Sequence, residues 1–316
     1  MKRVFMFAAA CLFAASSFAQ YPGKAIRLVV PFPAGSATDT VARILGQSVS
    51  AAVGQPVFVD NKAGADGAIA GAEVAKSAPD GYTLFLATNS PMAVAPAMKK
   101  IPPYDPVADF TPISDIGRYT FFLYINAETP IRTFKELVAY AKANPGKLNY
   151  ATGNTTGIVS FAQMNSLAGI DMTHVPYKGE PQAITDIVGG RVQLLWATPT
   201  TGLSHVKDGK LRALATNLKA RSNLLPDVPT MAEVGIPQYS VVSWAALYAP
   251  AKLPRELQLR LNKEFTDAMK RPDVAAQLDK QAFQVTGSTP EELGAFTKAQ
   301  YEAYRAILKS VGMQPE

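Results

Sequence analysis

The sequence is poor in the side chains that carry most enzyme chemistry. Among 316 residues there is one cysteine, Cys11, and there are two histidines, His174 and His205. A lone thiol closes no intramolecular disulfide, and two histidines without further ligands at metal spacing make no metal site. No G-x-S-x-G, H-E-x-x-H or C-x-x-C spacing occurs, so nucleophilic and zinc hydrolysis have no carrier; paired carboxylates are the one catalytic arrangement that composition leaves open. G-x-G-x-x-G is absent too, and no cofactor is expected. Runs of like charge are missing: lysine and arginine are scattered among acids, and a formal charge of +6 leaves no nucleic-acid footprint.

Long apolar runs are equally scarce. The longest, Val4 to Ala15, spans about twelve residues against the roughly 20 needed to cross a bilayer. Lys2 and Arg3 precede it and Ser17-Phe18-Ala19 follows, the pattern of an export leader cleaved between Ala19 and Gln20. Residues 1–19 therefore read as a signal peptide and the periplasm as the destination. Cys11 lies inside that leader with no leucine three positions before it, so no lipid anchor is expected. Loss of Lys2 and Arg3 lowers the charge to +4, a weak field that favours anions only slightly.

What remains is long for one hydrophobic core, and two lobes are expected. Ile26 to Val30 is a short β-branched run of the kind buried on both faces of a parallel sheet. A Pro/Gly turn leads to a helix over Asp39 to Val53, ended by Gly54. Strand Val57 to Val59, helix Asp66 to Lys76 and strand Thr83 to Ala87 repeat the βαβ pattern. A second series runs through strand Phe121 to Ile125, helix Thr133 to Ala143, strand Leu148 to Ala151, helix Ile158 to Ala168, strand Asp171 to Val175, helix Pro181 to Val188, and strands Val192 to Trp196 and Arg212 to Thr216. A strand within Tyr239 to Tyr248 and helices Arg255 to Lys270, Pro272 to Leu278 and Pro290 to Val311 close the chain. The fold class is α/β, with two Rossmann-like lobes. Lobe 1 is assigned residues 20–120 plus 242–316, and lobe 2 residues 121–241. Ligands of open α/β sheets sit beyond the carboxyl ends of the strands, so two such sheets place a cleft between them.

The sharpest motif is Phe32-Pro33-Ala34-Gly35-Ser36-Ala37-Thr38-Asp39, where the first strand turns into the first helix. Small residues let backbone N–H groups face a ligand, Ser36 and Thr38 add hydroxyls, and the helix dipole favours negative charge. The loop has no lysine, arginine or histidine, so recognition by N–H groups, hydroxyls and water is expected, which suits a carboxylate. Asp39 reads as the helix N-cap. Phe32 is a candidate ligand-facing aromatic; Trp196 and Trp244 fall at strand ends, as core or as cleft wall. His174 reads as part of a structural turn.

The chain resembles the Bug receptors, the substrate-binding proteins of tripartite tricarboxylate transporters. The resemblance rests on landmarks in one order: Pro33 to Asp39, Pro79-Asp80-Gly81-Tyr82-Thr83-Leu84, Tyr104-Asp105-Pro106, Ala141 to Lys147, His174-Val175-Pro176-Tyr177-Lys178-Gly179, Gly209 to Ala215 and Leu225 to Thr230. It implies a type II periplasmic-binding-protein fold, two lobes joined by two crossing strands, and a ligand carboxylate held by the first loop partly through water. It also implies ligand contacts from Asn89-Ser90, from Thr152-Gly153-Asn154-Thr155-Thr156, and from Thr198-Pro199-Thr200, with Trp244 as a further candidate. Many relatives carry a histidine at the start of the second-lobe helix; this chain does not, which places the reading of the ligand's far end in question. The function so implied is a monomeric, non-enzymatic receptor that closes on a small organic carboxylate. A cleft without cations leans toward aromatic or apolar mono- and dicarboxylates. Its partners would be the membrane subunits of the transporter or, as the alternative, a sensor kinase; a carboxylate-processing enzyme is the least favoured reading.

Overall fold

The computed structural model describes residues 21–315, so residues 1–19, expected to be a leader, lie outside the described residues. In chain order the elements are β1 (Ile26–Val30), α1 (Ala37–Val53), β2 (Val57–Asn61), α2 (Ala68–Ala75), β3 (Thr83–Thr88), β4 (Phe110–Tyr119), β5 (Phe122–Asn126), α3 (Phe134–Ala143), β6 (Asn149–Thr152), α4 (Thr155–Ala168), β7 (Thr173–Pro176), α5 (Glu180–Val188), β8 (Leu194–Ala197), α6 (Pro199–Lys207), β9 (Leu211–Thr216), β10 (Ser243–Pro250), α7 (Arg255–Lys270), α8 (Pro272–Asp279), β11 (Phe283–Val285) and α9 (Pro290–Ser310). They build a six-stranded sheet in the order β11-β4-β10-β3-β1-β2 and a five-stranded sheet in the order β7-β6-β8-β5-β9.

The βαβ pattern places β1 parallel to both β2 and β3. Burial on both faces follows from its sequence: Ile26, Leu28 and Val30 enter one apolar cluster, and Val29 the cluster on the opposite face. Alternate side chains of a strand point to opposite faces, so a strand with helices on both sides must be apolar throughout. Gly54, at φ 71°, ends α1 in the left-handed conformation that glycine adopts without strain.

The sheets are mixed, not parallel. β10 runs antiparallel to β3 and β4, and β5 runs antiparallel to β8 and β9. The sequence reading assigned no strand over Phe110 to Tyr119 and carried the second series back to Asp115. The reason is visible in the β4–β10 ladder, whose register shifts twice, between Ala245 and Ala246 and between Leu247 and Tyr248, so no period-2 pattern survives. β11 was missed because it is three residues long, and α6 because Pro199, Thr200, Thr201 and Gly202 are poor helix formers. The π turn Ser90–Val94 and the short helix Ala95–Ala97 after β3 were also unforeseen. α1 begins two residues earlier than expected, at Ala37, and α4 three residues earlier, at Thr155.

The chain passes from the first sheet to the second through Thr120 and Phe121, and returns between β9 and β10. α9 starts at a capping box, in which the Thr289 hydroxyl accepts from the Glu292 N–H and the Glu292 carboxylate accepts from the Thr289 N–H. Its Tyr304 hydroxyl then donates to the Val242 carbonyl and accepts from Asn89 Nδ2 at 3.0 Å, tying the C-terminal helix to the junction of the sheets. Among the described residues no helix is long and apolar enough to cross a membrane, and no group of histidine, cysteine and acidic side chains is placed to hold a metal.

Candidate functional site

The loop between β1 and α1 is held from behind. Ser36, not Asp39, is the N-cap: its backbone is extended and its Oγ accepts from the Asp39 N–H at 3.3 Å. Asp39 sits two residues into the helix, and its carboxylate faces away from the cleft. Oδ2 accepts from the Gly35 N–H at 3.0 Å and from Arg43 Nε at 3.0 Å, and Oδ1 accepts from Asn61 Nδ2 at 3.0 Å. Asn61 also donates to the Phe32 carbonyl at 2.9 Å, and Gly35 turns the loop at φ 80°. With these groups engaged, the N–H groups of Ala37 and Thr38 take no partner among the described residues. They are two orphan donors at a positive helix end.

Burial alone would raise the Asp39 carboxyl, but Arg43, the Gly35 N–H and Asn61 outweigh it and hold the group below its ordinary value. A carboxyl depressed in the folded state contributes stability that is present above its unfolded pKa of about 3.9 and is lost as pH falls through the folded value. Asp39→Asn should therefore flatten the acid-side loss of stability below about pH 4. Urea denaturation from about pH 3 to pH 7 checks this; an unchanged pH profile would place the acid sensitivity elsewhere.

In front of this loop lies a narrow cavity of about 20 Å³. Phe32, Ser36, Ala37, Thr38 and Thr88 line it from the first sheet. Tyr119, Phe121 and Ser243 line it at the crossings, and Gly153, Asn154, Thr156, Glu180 and Thr198 from the second sheet. No lysine, arginine or histidine is among them. The second-sheet residues stand at helix starts. Asn154 caps α4, with its Oδ1 accepting from the Gly157 N–H at 2.9 Å, and Thr198 is the N-cap residue of α6. Four helix N-termini, those of α1, α4, α5 and α6, thus converge on one cavity and supply positive potential without a cationic side chain.

Of the residues expected to contact a ligand, Phe32, Ser36, Ala37, Thr38, Gly153, Asn154, Thr156 and Thr198 are brought to the cavity. Pro33, Ala34 and Gly35 shape the loop beside it, and Thr152 shares an adjoining groove with Phe32 and Gly153 while bonding His174 Nε2 at 2.6 Å. Pro199 opens α6 without an N–H.

Four expectations need correction. Asp39 supports the loop, as described. Asn89 has no capacity left for a ligand: its amide donates to Thr156 Oγ1 at 2.7 Å and to Tyr304, and its carbonyl accepts from Ser243 Oγ and the Trp244 N–H at 3.3 Å each. Ser90 and Thr155 bond to each other across the cleft at 2.6 Å; Ser90 also donates to the Asp66 carbonyl, and the Asp66 carboxyl is pushed up by burial against the pull of Lys99 and of the Thr155 backbone. Trp244 is fully buried behind β10, with its indole N–H on Gln300 at 3.2 Å and its ring edge-on to Phe296, so it forms no cleft wall.

The sequence reading missed Thr88, Tyr119, Phe121, Ser243 and Glu180. The last is the most informative, because it is the one carboxyl in the cavity lining. Its Oε2 accepts from the Thr198 N–H at 3.1 Å, from Thr198 Oγ1 at 2.8 Å and from Thr201 Oγ1 at 3.0 Å. The only signal for it was an acid at the first position of a helix, which ordinarily means a solvated charge near a helix dipole.

The sequence matches the family model for the tripartite tricarboxylate transporter family receptor over residues 41–313. The chain belongs to this family. BugT of Bordetella pertussis is 34% identical to it over 298 residues, covering 92% of this chain and 90% of that protein. The structure of Rpa4515 of R. palustris with adipate superposes at a TM-score of 0.90, with 30% identity, 94% of this chain and 100% of the other covered. MatC from Rhodopseudomonas palustris with bound malate gives 0.86, with 28% identity and coverage of 91% and 100%. These neighbours are binding proteins, and the fold of this receptor is theirs: two α/β lobes of the type II periplasmic class.

Proposed function

We propose that this receptor captures a small organic carboxylate between its lobes and delivers it to the membrane subunits of a tripartite tricarboxylate-type transporter, after export to the periplasm and removal of residues 1–19. The observation that carries this reading is the pair of unpartnered N–H groups on Ala37 and Thr38 at the mouth of α1, beside a cavity lined by no cation. One carboxylate docks there through backbone donors and the Ser36 and Thr38 hydroxyls, with water completing its shell. Phe32, Tyr119 and Phe121 give the ligand's body an apolar wall. The closed space of about 20 Å³ holds little more than a water, so an acid of adipate or malate size, the ligands of two neighbours, enters only as the lobes part. Opening pivots at the crossings, 120/121 and 241/242, which are the proposed lobe boundaries.

A thermal-shift screen of organic acids tests this directly. An acid at 100 times its Kd should add about 2.7 kcal/mol to stability, and calorimetry should return it unchanged. Stabilisation by neutral or basic solutes alone would overturn the carboxylate reading.

A further inference from the structure

Glu180 is not explained by a site built to hold an anion through N–H groups. It is 7% exposed, lines the cavity, and is the first residue of α5, beside the start of α6. All three of its hydrogen bonds fall on one oxygen, Oε2, which accepts from Thr198 twice and from Thr201 once. Oε1 has no partner among the described residues. An ionised carboxylate shares its charge over both oxygens and gathers donors on each; a neutral acid has one carbonyl oxygen that accepts and one hydroxyl that donates. At Glu180 the donors gather on one oxygen and Oε1 is left without a partner, which leaves it open to carry a proton and donate to a ligand.

We propose that Glu180 is a specificity residue that acts as a neutral acid, its Oε1 hydroxyl donating to the second carboxylate of a dicarboxylate whose first carboxylate sits on α1. This rests on the carboxylate-receptor reading and deepens it. Two helix starts and a protonated acid hold the far end. Burial pushes the Glu180 carboxyl up and outweighs the threonine donors that pull it down. The ionisable groups that feel its charge are the phenols of Tyr119 on β4 and Tyr124 on β5, both raised well above their ordinary value by burial and so neutral. α6 presents only Thr198 and Thr201, and α1 and α4 place no charged side chain in the cavity lining. The α5 and α6 starts favour its charged form, but burial outweighs them and no cationic side chain lines the cavity; a second negative charge would also repel a dianion.

The consequence is proton uptake. Where Glu180 of the free protein is ionised, binding a dicarboxylate must bring a proton, so affinity falls with rising pH by up to about tenfold per unit. Calorimetry with adipate and with hexanoate, its monocarboxylate counterpart, from about pH 7 to about pH 8.5 reads this, since both carboxyls of adipate are ionised there. The wild type should bind adipate more weakly as pH rises. Glu180→Gln keeps an acceptor for the three threonine donors and gains a fixed N–H donor, so its adipate profile should be flat and its affinity within about threefold of wild type at the acid end. Glu180→Ala should weaken adipate by at least about tenfold and hexanoate by no more than about twofold.

The same falling affinity with pH in wild type and Glu180→Gln would overturn the role of Glu180 while leaving the receptor reading intact. So would equal losses of adipate and hexanoate in Glu180→Ala. A preference for amine-bearing acids that vanishes in Glu180→Gln would mean an ionised Glu180 and also overturns it. Failure of wild-type protein to bind either acid, or any acid in the screen, would overturn the carboxylate reading itself.

Discussion

Replacing Gly153 by alanine should weaken carboxylate binding by about a hundredfold, equivalent to about 2.7 kcal/mol, and should cost about 1–3 kcal/mol of folding stability. A Cβ at this position would lie 2.5 Å from the Glu180 nitrogen and 2.6 Å from the Gly179 carbonyl carbon. Both are backbone atoms, so no side chain can rotate away. Reaching an ordinary contact of 3.4 Å would force the α4 and α5 starts apart by up to about 0.9 Å. Those two starts carry Asn154, Thr156 and Glu180, which form the second-sheet side of the cavity. A binding site tolerates errors of about 0.5 Å, so the loss should appear mainly in affinity. Calorimetry with adipate, paired with urea denaturation to separate binding from folding, checks the expectation. An affinity within threefold of wild type would show that the second-lobe loops do not contact the ligand.

The largest effect on stability is expected at Trp244. Its ring is 0% exposed in the core cluster on one face of the first sheet, edge-on to Phe296 at 5.3 Å, with Gln300 accepting from its indole N–H. Trp244→Ala removes the packing, opens a cavity and strands the Gln300 carbonyl, at a cost of about 3–5 kcal/mol. For a chain of this size that is a fall in Tm of about 6–15 °C. Because the ring does not line the ligand cavity, the Kd for adipate should stay within about twofold at temperatures where the variant is folded. A stable variant with lost affinity would reverse the assignment and make Trp244 a wall of the cleft. The two substitutions therefore form a contrasting pair, one acting on the site through a glycine and the other on the core through an aromatic.

Much of the first lobe could be read from residues alone. The β1 run, the small-residue loop and the amphipathic α7, which spans Arg255–Lys270 as its periodicity requires, all follow from local pattern. The anion loop was legible because its chemistry is contiguous: Ser36, Ala37 and Thr38 are neighbours in sequence and in space. Glu180 was not, since its meaning comes from Thr198 and Thr201, about 20 residues away and delivered by α6, a helix its own sequence scarcely announces. Asn89 misled for the same reason: its partners Thr156 and Tyr304 lie 67 and 215 residues further along the chain. Asp66 adopts φ 56°, a conformation that favours glycine, and the strain is held by the carbonyl and carboxyl contacts it makes to Ser90 and Thr155. Periodicity reports how one element meets a core; it carries no record of which distant hydroxyl completes a hydrogen-bond set.

The bonds from Asn89 to Thr156 and from Ser90 to Thr155 join side chain to side chain across the lobes, with no atom of cargo between them. Each is worth about 0.5–1.5 kcal/mol net, so together they shift the balance between shut and gaping forms by roughly fivefold to more than a hundredfold before any acid arrives. Cargo supplies only the remainder, and its apparent affinity rises with the fraction of receptor that is already shut. If the proposed delivery holds, the same fraction sets an idling background of unloaded receptors that present the shut outline to the membrane partner. On that reading Thr155 and Thr156 set the balance between tight capture and faithful reporting.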